Sequence, residues 1–92
     1  SGGNRKSLSG AMAEVDNLLN KQGLDSTDLI SQIHGVIVGR RLSVPDSLRE
    51  KLLIALSECD VELQRSTYPR IHFEKFLHRV AAAGRHQGIA FG

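Results

Sequence analysis

Four amphipathic stretches of helical period constrain the fold of this chain more than any other feature of its sequence. In each stretch, apolar side chains recur at steps of three and four residues, which places them on one face of a helix. No stretch shows the sustained two-residue alternation that marks a half-buried strand. Aromatic residues make up only 4% of the chain and Trp is missing, so the core has to come mainly from aliphatic side chains. The sequence therefore predicts an all-α fold, a compact bundle of four or at most five helices.

Gly23 separates the first two helices. The first is predicted over residues 7–22, because glycine takes the left-handed conformation that ends a helix at little cost. Asp25 precedes the second helix, where its carboxylate can accept from free N–H groups of the first turn, and Asp28 adds a favourable charge. The second helix is expected to weaken at Gly39.

Proline residues indicate where the third and fourth helices begin. Ser43 is predicted to cap the third helix, with Pro45 in its first turn and Asp46 three residues after the cap. This helix is predicted to be the longest and to lie centrally. Pro69 is predicted to open the fourth helix and Gly84 to end it.

These elements imply one domain over residues 7–84. Residues 1–6 are interpreted as a linker or a remnant of expression, and residues 85–92 as a flexible tail. Cys59 is the only cysteine, so an intramolecular disulfide and a cysteine-based zinc site are both excluded. We therefore expect an intracellular compartment, cytoplasmic or nuclear. No apolar stretch reaches the ~20 residues that span a bilayer, so no membrane partner is expected.

The residue types that carry catalysis are present but not in catalytic patterns. The sequence contains no G-x-x-x-x-G-K-[ST] phosphate loop, and no strand-to-helix glycine turn is predicted. The carboxylates of Glu58, Asp60 and Glu62 share one predicted helix without a cleft, which favours a solvated face. The candidate metal ligands are His34, His72, His78 and His86. The six-residue step between the middle two histidines turns them to different faces, so we predict no catalytic, cofactor or metal site.

A basic cluster leaves nucleic-acid binding as an alternative function. Its members are Arg40, Arg41, Arg49 and Lys51. Phosphate affinity requires several cations on one face, and the acids Asp46 and Glu50 dilute this cluster. The whole chain is also nearly balanced, with 12 basic and 10 acidic residues. A small helical nucleic-acid-binding module is therefore the second hypothesis, and an enzyme is the weakest.

The chain from residue 22 to residue 81 resembles the C-terminal region of replication factor C small subunits. Its segment 23–34, with a glycine start and the final Gln32-Ile33-His34, is similar to the family's GLSGEDVIKQIH. The segment 42–56 resembles the family's proline-initiated helix, and segments 57–63 and 70–77 resemble the two that follow, with their spacing kept. Two departures stand out. The segment 65–68 replaces a glycine-containing turn, and 61–63 carries the reversed charge of Glu62.

The resemblance implies a collar domain of a clamp loader, the assembly that loads sliding clamps onto DNA in replication. Collar domains pack into a ring that holds the subunits together, while separate AAA+ modules of the parent protein bind ATP. The implied partners are other clamp-loader subunits or further copies of this chain, with the sliding clamp and DNA reached only through the parent complex. No cofactor is implied for this domain.

Interface candidates for such a domain are apolar positions outside the main helical stripes and charges beside them. They are Leu53, Ile54, Glu58, Asp60, Val61, Arg70 and Ile71.

Overall fold

The computed structural model describes residues 5–21 and 23–88 of the chain. Within these ranges the helices are α1 (Leu8–Leu19), α2 (Ser26–Val38), α3 (Asp46–Leu63) and α4 (Pro69–His86). The described residues include no strand, only an isolated bridge between Lys6 and Leu42. The predicted all-α bundle is confirmed.

Each helix packs against the next along the chain, and the last packs back against the first. The most extensive interface joins α3 to α4, followed by α2 with α3, and α1 contacts both α2 and α4. Four stripes of aliphatic side chains therefore converge on one core, with Phe73 and Phe76 of α4 fully buried among them. The largest buried side chains besides these two are Leu8, Val15, Ile33, Ile37, Leu48, Leu52 and Val80.

Two helix starts are capped by side chains. The Ser7 hydroxyl accepts a hydrogen bond from the Gly10 N–H at 3.1 Å, which caps α1. The Asp25 carboxylate accepts one from the Asp28 N–H at 2.9 Å, which confirms the predicted start of α2. Each cap satisfies a backbone donor that has no partner inside its helix.

The predicted cap of α3 is wrong. Ser43 lies outside the helix because its backbone N–H donates to the Lys6 carbonyl at 2.9 Å, which holds it in the bridge. The helix begins at Asp46, and the N–H groups of Leu48 and Arg49 both donate to the Pro45 carbonyl at 3.0 Å. No side chain caps this helix.

The predicted ends of α1 and α4 also shift. Asn20 is the C-cap of α1, so the helix stops before Gln22, which lies outside the described residues. Gly23 has a φ of +86° and is the expected left-handed residue. Gly84 is a buried residue inside α4, which continues to His86, and the positive φ falls on Gly88 instead. Glycine has no side chain, so a helix can continue through it at a buried position. A glycine therefore does not by itself end a helix.

The N-terminal segment packs onto the bundle at Lys6, which the sequence placed in a linker. Its N–H donates to the Arg41 carbonyl at 2.7 Å, and its ammonium group pairs with Glu14 of α1. Residues 1–4 and 89–92 of the predicted linker and tail lie outside the described ranges. No helix in the described part of the chain is both long and apolar enough to cross a membrane.

Replacing Ile33 with Ala should lower the free energy of unfolding by about 2–4 kcal/mol, because this fully buried side chain leaves a cavity behind. The matched change Ile54→Ala, at a position that is 52% exposed, should cost less than about 1 kcal/mol. Urea denaturation followed by circular dichroism measures both. Equal losses for the two variants would contradict the core described above.

Candidate interaction surface

Large apolar side chains remain exposed on the outer side of α3 and at the start of α4. Ile54 is 52% exposed, Val61 is 50% exposed and Ile71 is 59% exposed. Ile54 and Val61 are seven residues apart, so they lie on the same face of α3, two turns from each other. Three of the four apolar interface candidates thus lie at the surface, with side chains that the bundle itself does not cover.

Two ion pairs link α3 to α4 and show that the helices are antiparallel. Arg79 donates to Glu58 at 2.7 Å, and Lys75 donates to Glu62 at 2.6 Å. From the first pair to the second, the residue number rises on α3 and falls on α4. The two helices therefore run in opposite directions. The hydrogen bond from Lys75 also lowers the pKa of Glu62 below its ordinary value. Glu58 is therefore already paired within the chain, although its side chain stays 53% exposed.

Leu53 and Asp60 lie on a different side of α3 from Ile54. Both are half-buried and line a groove of about 390 Å³ between α2 and α3. Ile30 of α2 shares this groove, and His34 is among its polar lining residues. The seven candidates therefore do not form a single patch.

Arg70 lies at a third place, at the start of α4. Its side chain donates to Asn20 of α1 at 3.4 Å and pairs with Glu74 one turn on, with Nε and Oε2 3.7 Å apart. It also lines an apolar groove of about 450 Å³ at this end of the bundle, where Leu24 and Phe73 are among the lining residues. Such exposed ion pairs add little stability, so Arg70 is available to a partner.

Arg49, a nucleic-acid candidate, has a role inside the fold. Its guanidinium donates to the carbonyls of Ile37, Gly39 and Leu42, the last at 2.7 Å and Gly39 at 3.2 Å. The carbonyls at a helix end have no intrahelical donor, so this side chain completes the C-terminus of α2 and holds the following connection.

The other three basic candidates do not act together. Arg40 lines a polar cavity with Arg49, whereas Arg41 lines a separate pocket beside Lys6 and α1. Lys51 is exposed and lines neither. The structure thus brings only two of the four predicted cations to one site.

Cys59 and His72 meet inside the α3–α4 interface. The Cys59 thiol is 3.5 Å from the His72 carbonyl, and the His72 Nδ1 is buried without a hydrogen-bond partner among the described residues. Burial raises the pKa of the Cys59 thiol to about 11, and the charges of Glu62 and Asp60 act in the same direction. The thiol is therefore protonated at neutral pH and a poor nucleophile.

The four histidines do not converge. The described residues contain no group of three or more His, Cys, Asp or Glu side chains placed to hold a metal ion. The prediction that no metal or cofactor binds here stays a prediction.

Sequence reasoning missed three surface residues. Tyr68 is 70% exposed just before α4, and Val38 is 45% exposed at the end of α2. Arg5 shares the cavity of Arg40 and Arg49 although it is distant from both in sequence. Tyr68 could have been found from its position next to Pro69, where the chain leaves one helix for another. Nothing local to residue 5 indicates where the N-terminal segment packs.

The described residues form a closed helical bundle that leaves large apolar side chains exposed on α3 and α4. Comparison with known proteins gives the family of this domain. The family model of the replication factor C C-terminal domain matches residues 3–79. The chain is also 27% identical over 74 residues to a replication factor C small subunit of Sulfurisphaera tokodaii, a match that covers 80% of this chain and 23% of that protein. No solved structure shows a significant match.

The chain belongs to the replication factor C C-terminal domain family, because the family model matches most of its length. It is thus a clamp-loader C-terminal domain, the helical part and not the catalytic ATPase region. It spans about a quarter of the length of the curated relative that it matches. The resemblance found in the sequence is confirmed.

Arg49→Lys should lower the free energy of unfolding by about 1–3 kcal/mol, because an ammonium group cannot reach three separate carbonyls as the guanidinium fork does. The matched change Arg40→Lys should stay within about 0.5 kcal/mol, because Arg40 is exposed. Thermal and urea unfolding of both variants measure the difference. An Arg49→Lys chain as stable as the unaltered one would refute the structural role of this side chain.

The raised pKa of Cys59 predicts a loss of stability in alkali. The unfolded chain releases the thiol proton near pH 9 and the folded chain near pH 11, so the free energy of unfolding should fall as the pH rises through this interval. The Cys59→Ala variant should show a shallower fall over the same range, since the two chains differ only in this side chain. Urea denaturation at several pH values measures the two slopes, and identical slopes would argue against a buried thiol.

Proposed function

We propose that this chain is a collar-type oligomerisation domain, which assembles clamp-loader subunits by packing against neighbouring collar domains. The observation that carries the proposal is the exposure of Ile54, Val61 and Ile71 on a bundle whose core is otherwise closed. Membership of the replication factor C C-terminal family supports the same role. The relative from Sulfurisphaera tokodaii is named as a small subunit, which indicates a protein that works in a larger assembly.

The distribution of exposed apolar residues suits a ring. In a ring built from head-to-tail contacts, each member uses two different surfaces, one toward each neighbour. Apolar side chains are exposed on α3 at Ile54 and Val61, and also at Ile71 of α4, while Leu53 lines the groove on the α2 side of α3. A pair formed around a twofold axis would need only one such surface.

The ion pairs between α3 and α4 compensate the charges on this surface. Glu58 lies between Ile54 and Val61 on α3 and is held by Arg79, and Glu62 is held by Lys75. Because these charges are paired within the chain, a partner can cover the neighbouring apolar side chains without burying an uncompensated charge. The proposed contact therefore centres on the apolar side chains, with the ion pair of Glu58 among them and that of Glu62 beside them.

Loading of sliding clamps onto DNA would then be the work of the parent assembly. The chain itself contributes subunit contacts, and ATP binding, the sliding clamp and primer-template DNA belong to other modules. In this proposal the domain needs no cofactor.

Val61→Lys should weaken association by at least about tenfold, because a partner would have to bury the new ammonium group without a counter-charge. The matched control is Val38→Lys. Both valines lie near the C-terminal end of their helix and are similarly exposed, at 50% and 45%, so the cost to the isolated chain should be alike. Circular dichroism verifies that both variants fold.

Association is measured in two arms: sedimentation of the chain alone over a wide concentration range, and co-purification with sister subunits co-expressed from the same source. The proposal requires association in at least one arm and a larger loss for Val61→Lys than for Val38→Lys. A chain that stays monomeric and captures no sister subunit, or two variants with equal effects, would overturn it.

A further inference from the structure

A polar cavity of about 380 Å³ lies at the opposite end of α3 from Val61, where the N-terminal segment meets the connection between α2 and α3. Three of its lining residues are arginines, Arg5, Arg40 and Arg49, and they come from three separate segments of the chain. Among the residues that the structure describes, no Asp or Glu lines it. The fold therefore gathers positive charge that the sequence disperses over 45 positions.

Arg49 forms the fixed part of this cavity. Its guanidinium has five N–H donors, and the carbonyls of Ile37, Gly39 and Leu42 take three of them. The side chain is thereby held in one orientation, and two donors remain for another acceptor. A charged donor that is already held in place loses little conformational freedom when an anion arrives.

Arg5 and Arg40 form the adjustable part. Both are exposed, and neither takes part in any of the four ion pairs found between described residues. Like charges that line one cavity repel each other, and a bound anion would reduce that repulsion. Both side chains line the cavity and are free to reorient toward such an anion.

The start of α3 offers further hydrogen-bond donors near the cavity. Pro45 lines the cavity, and the helix that follows has no side-chain cap. The Asp46 and Ser47 N–H groups precede the first hydrogen bonds of the helix, which Leu48 and Arg49 donate to Pro45. Free N–H groups and the positive end of the helix dipole favour an oxyanion here, although the arginines carry most of the charge.

From these observations we infer that the Arg5–Arg40–Arg49 cavity binds a phosphate group. Planar guanidinium groups donate pairs of parallel hydrogen bonds to phosphate oxygens, and a doubly charged tetrahedral anion can accept from all three at once. The hydroxyl of Ser43, which also lines the cavity, supplies a further donor. The cavity is open and larger than one phosphate, so the group can belong to a free anion or nucleotide, or to the backbone of a nucleic acid.

The inference is independent of the proposed subunit contact. Arg5 and Arg40 lie at the N-terminal end of α3, whereas the proposed contact centres on Val61, two residues before the C-terminal end of this helix. The helical rise of 1.5 Å per residue separates the two ends of α3 by roughly 25 Å. Loss of one function should therefore leave the other intact.

The test is a nuclear magnetic resonance titration of the chain at constant ionic strength, with inorganic phosphate in one arm and a short single-stranded DNA in another. Sodium chloride alone is the reference. We expect saturable shifts of the backbone amides of residues 43, 44 and 46–49 with phosphate. The double variant Arg5→Gln, Arg40→Gln should weaken binding by about tenfold or more, since each charged hydrogen bond that is lost costs a severalfold factor.

The matched control is Arg65→Gln, because Arg65 is an exposed arginine just beyond the opposite end of α3. It should bind like the unaltered chain. Arg49 is left in place, since its loss would disturb the fold.

The two arms identify the source of the phosphate. Tighter binding of the DNA strand, lost in the double variant and weakened by salt, assigns a nucleic-acid backbone. Binding of inorganic phosphate without any gain for DNA assigns a free phosphate or nucleotide. The inference is overturned if neither ligand gives saturable shifts, or if the double variant binds both as well as the Arg65→Gln control does.

Discussion

The buried stripe of α3, which α2 and α4 cover from two sides, is the constraint from which the rest of the structure follows. The core contains the α3 side chains of Leu48, Leu52, Leu56 and Cys59. Because a helix turns by a fixed angle at each residue, Ile54 and the residues one and two turns after it then face outward. The exposed apolar side chains are therefore a direct consequence of how the core is packed. A bundle of this size has one core, and apolar residues in excess of its capacity remain on the surface.

The connection between α2 and α3 depends on a second interaction, the guanidinium of Arg49 among three backbone carbonyls. These carbonyls lie at the end of α2 and in the turn after it, where the regular ladder of hydrogen bonds is missing. Lys6 of the N-terminal segment also packs against this connection, through its bridge to Leu42. The fold thus places the guanidinium of Arg49 at the connection between α2 and α3. The arginine-lined cavity forms where Arg5 and Arg40 lie beside this side chain.

The two surfaces proposed for function lie at opposite ends of α3, one apolar and one cationic. This separation suits a domain that takes part in an assembly, because a contact with protein and a contact with an anion place contradictory demands on one surface. Membership of the replication factor C C-terminal family agrees with a role in which the domain supports other modules. The ion pair of Glu58 lies between the exposed apolar side chains of α3, and that of Glu62 lies beside them.

The sequence by itself determined the helices, the family and most of the helix starts, because periodicity, the Asp25 cap and Pro69 act through contacts within a few residues. The third helix start and the last helix end were wrong, since Ser43 bonds to distant Lys6 and Gly84 is buried inside α4. Only the tertiary structure decided that Arg49 donates hydrogen bonds to backbone carbonyls and that Arg5 lines the same cavity as Arg49. Such placements depend on which segments pack together. The free energy of packing is a sum over the whole core, so no local pattern of residues encodes these placements.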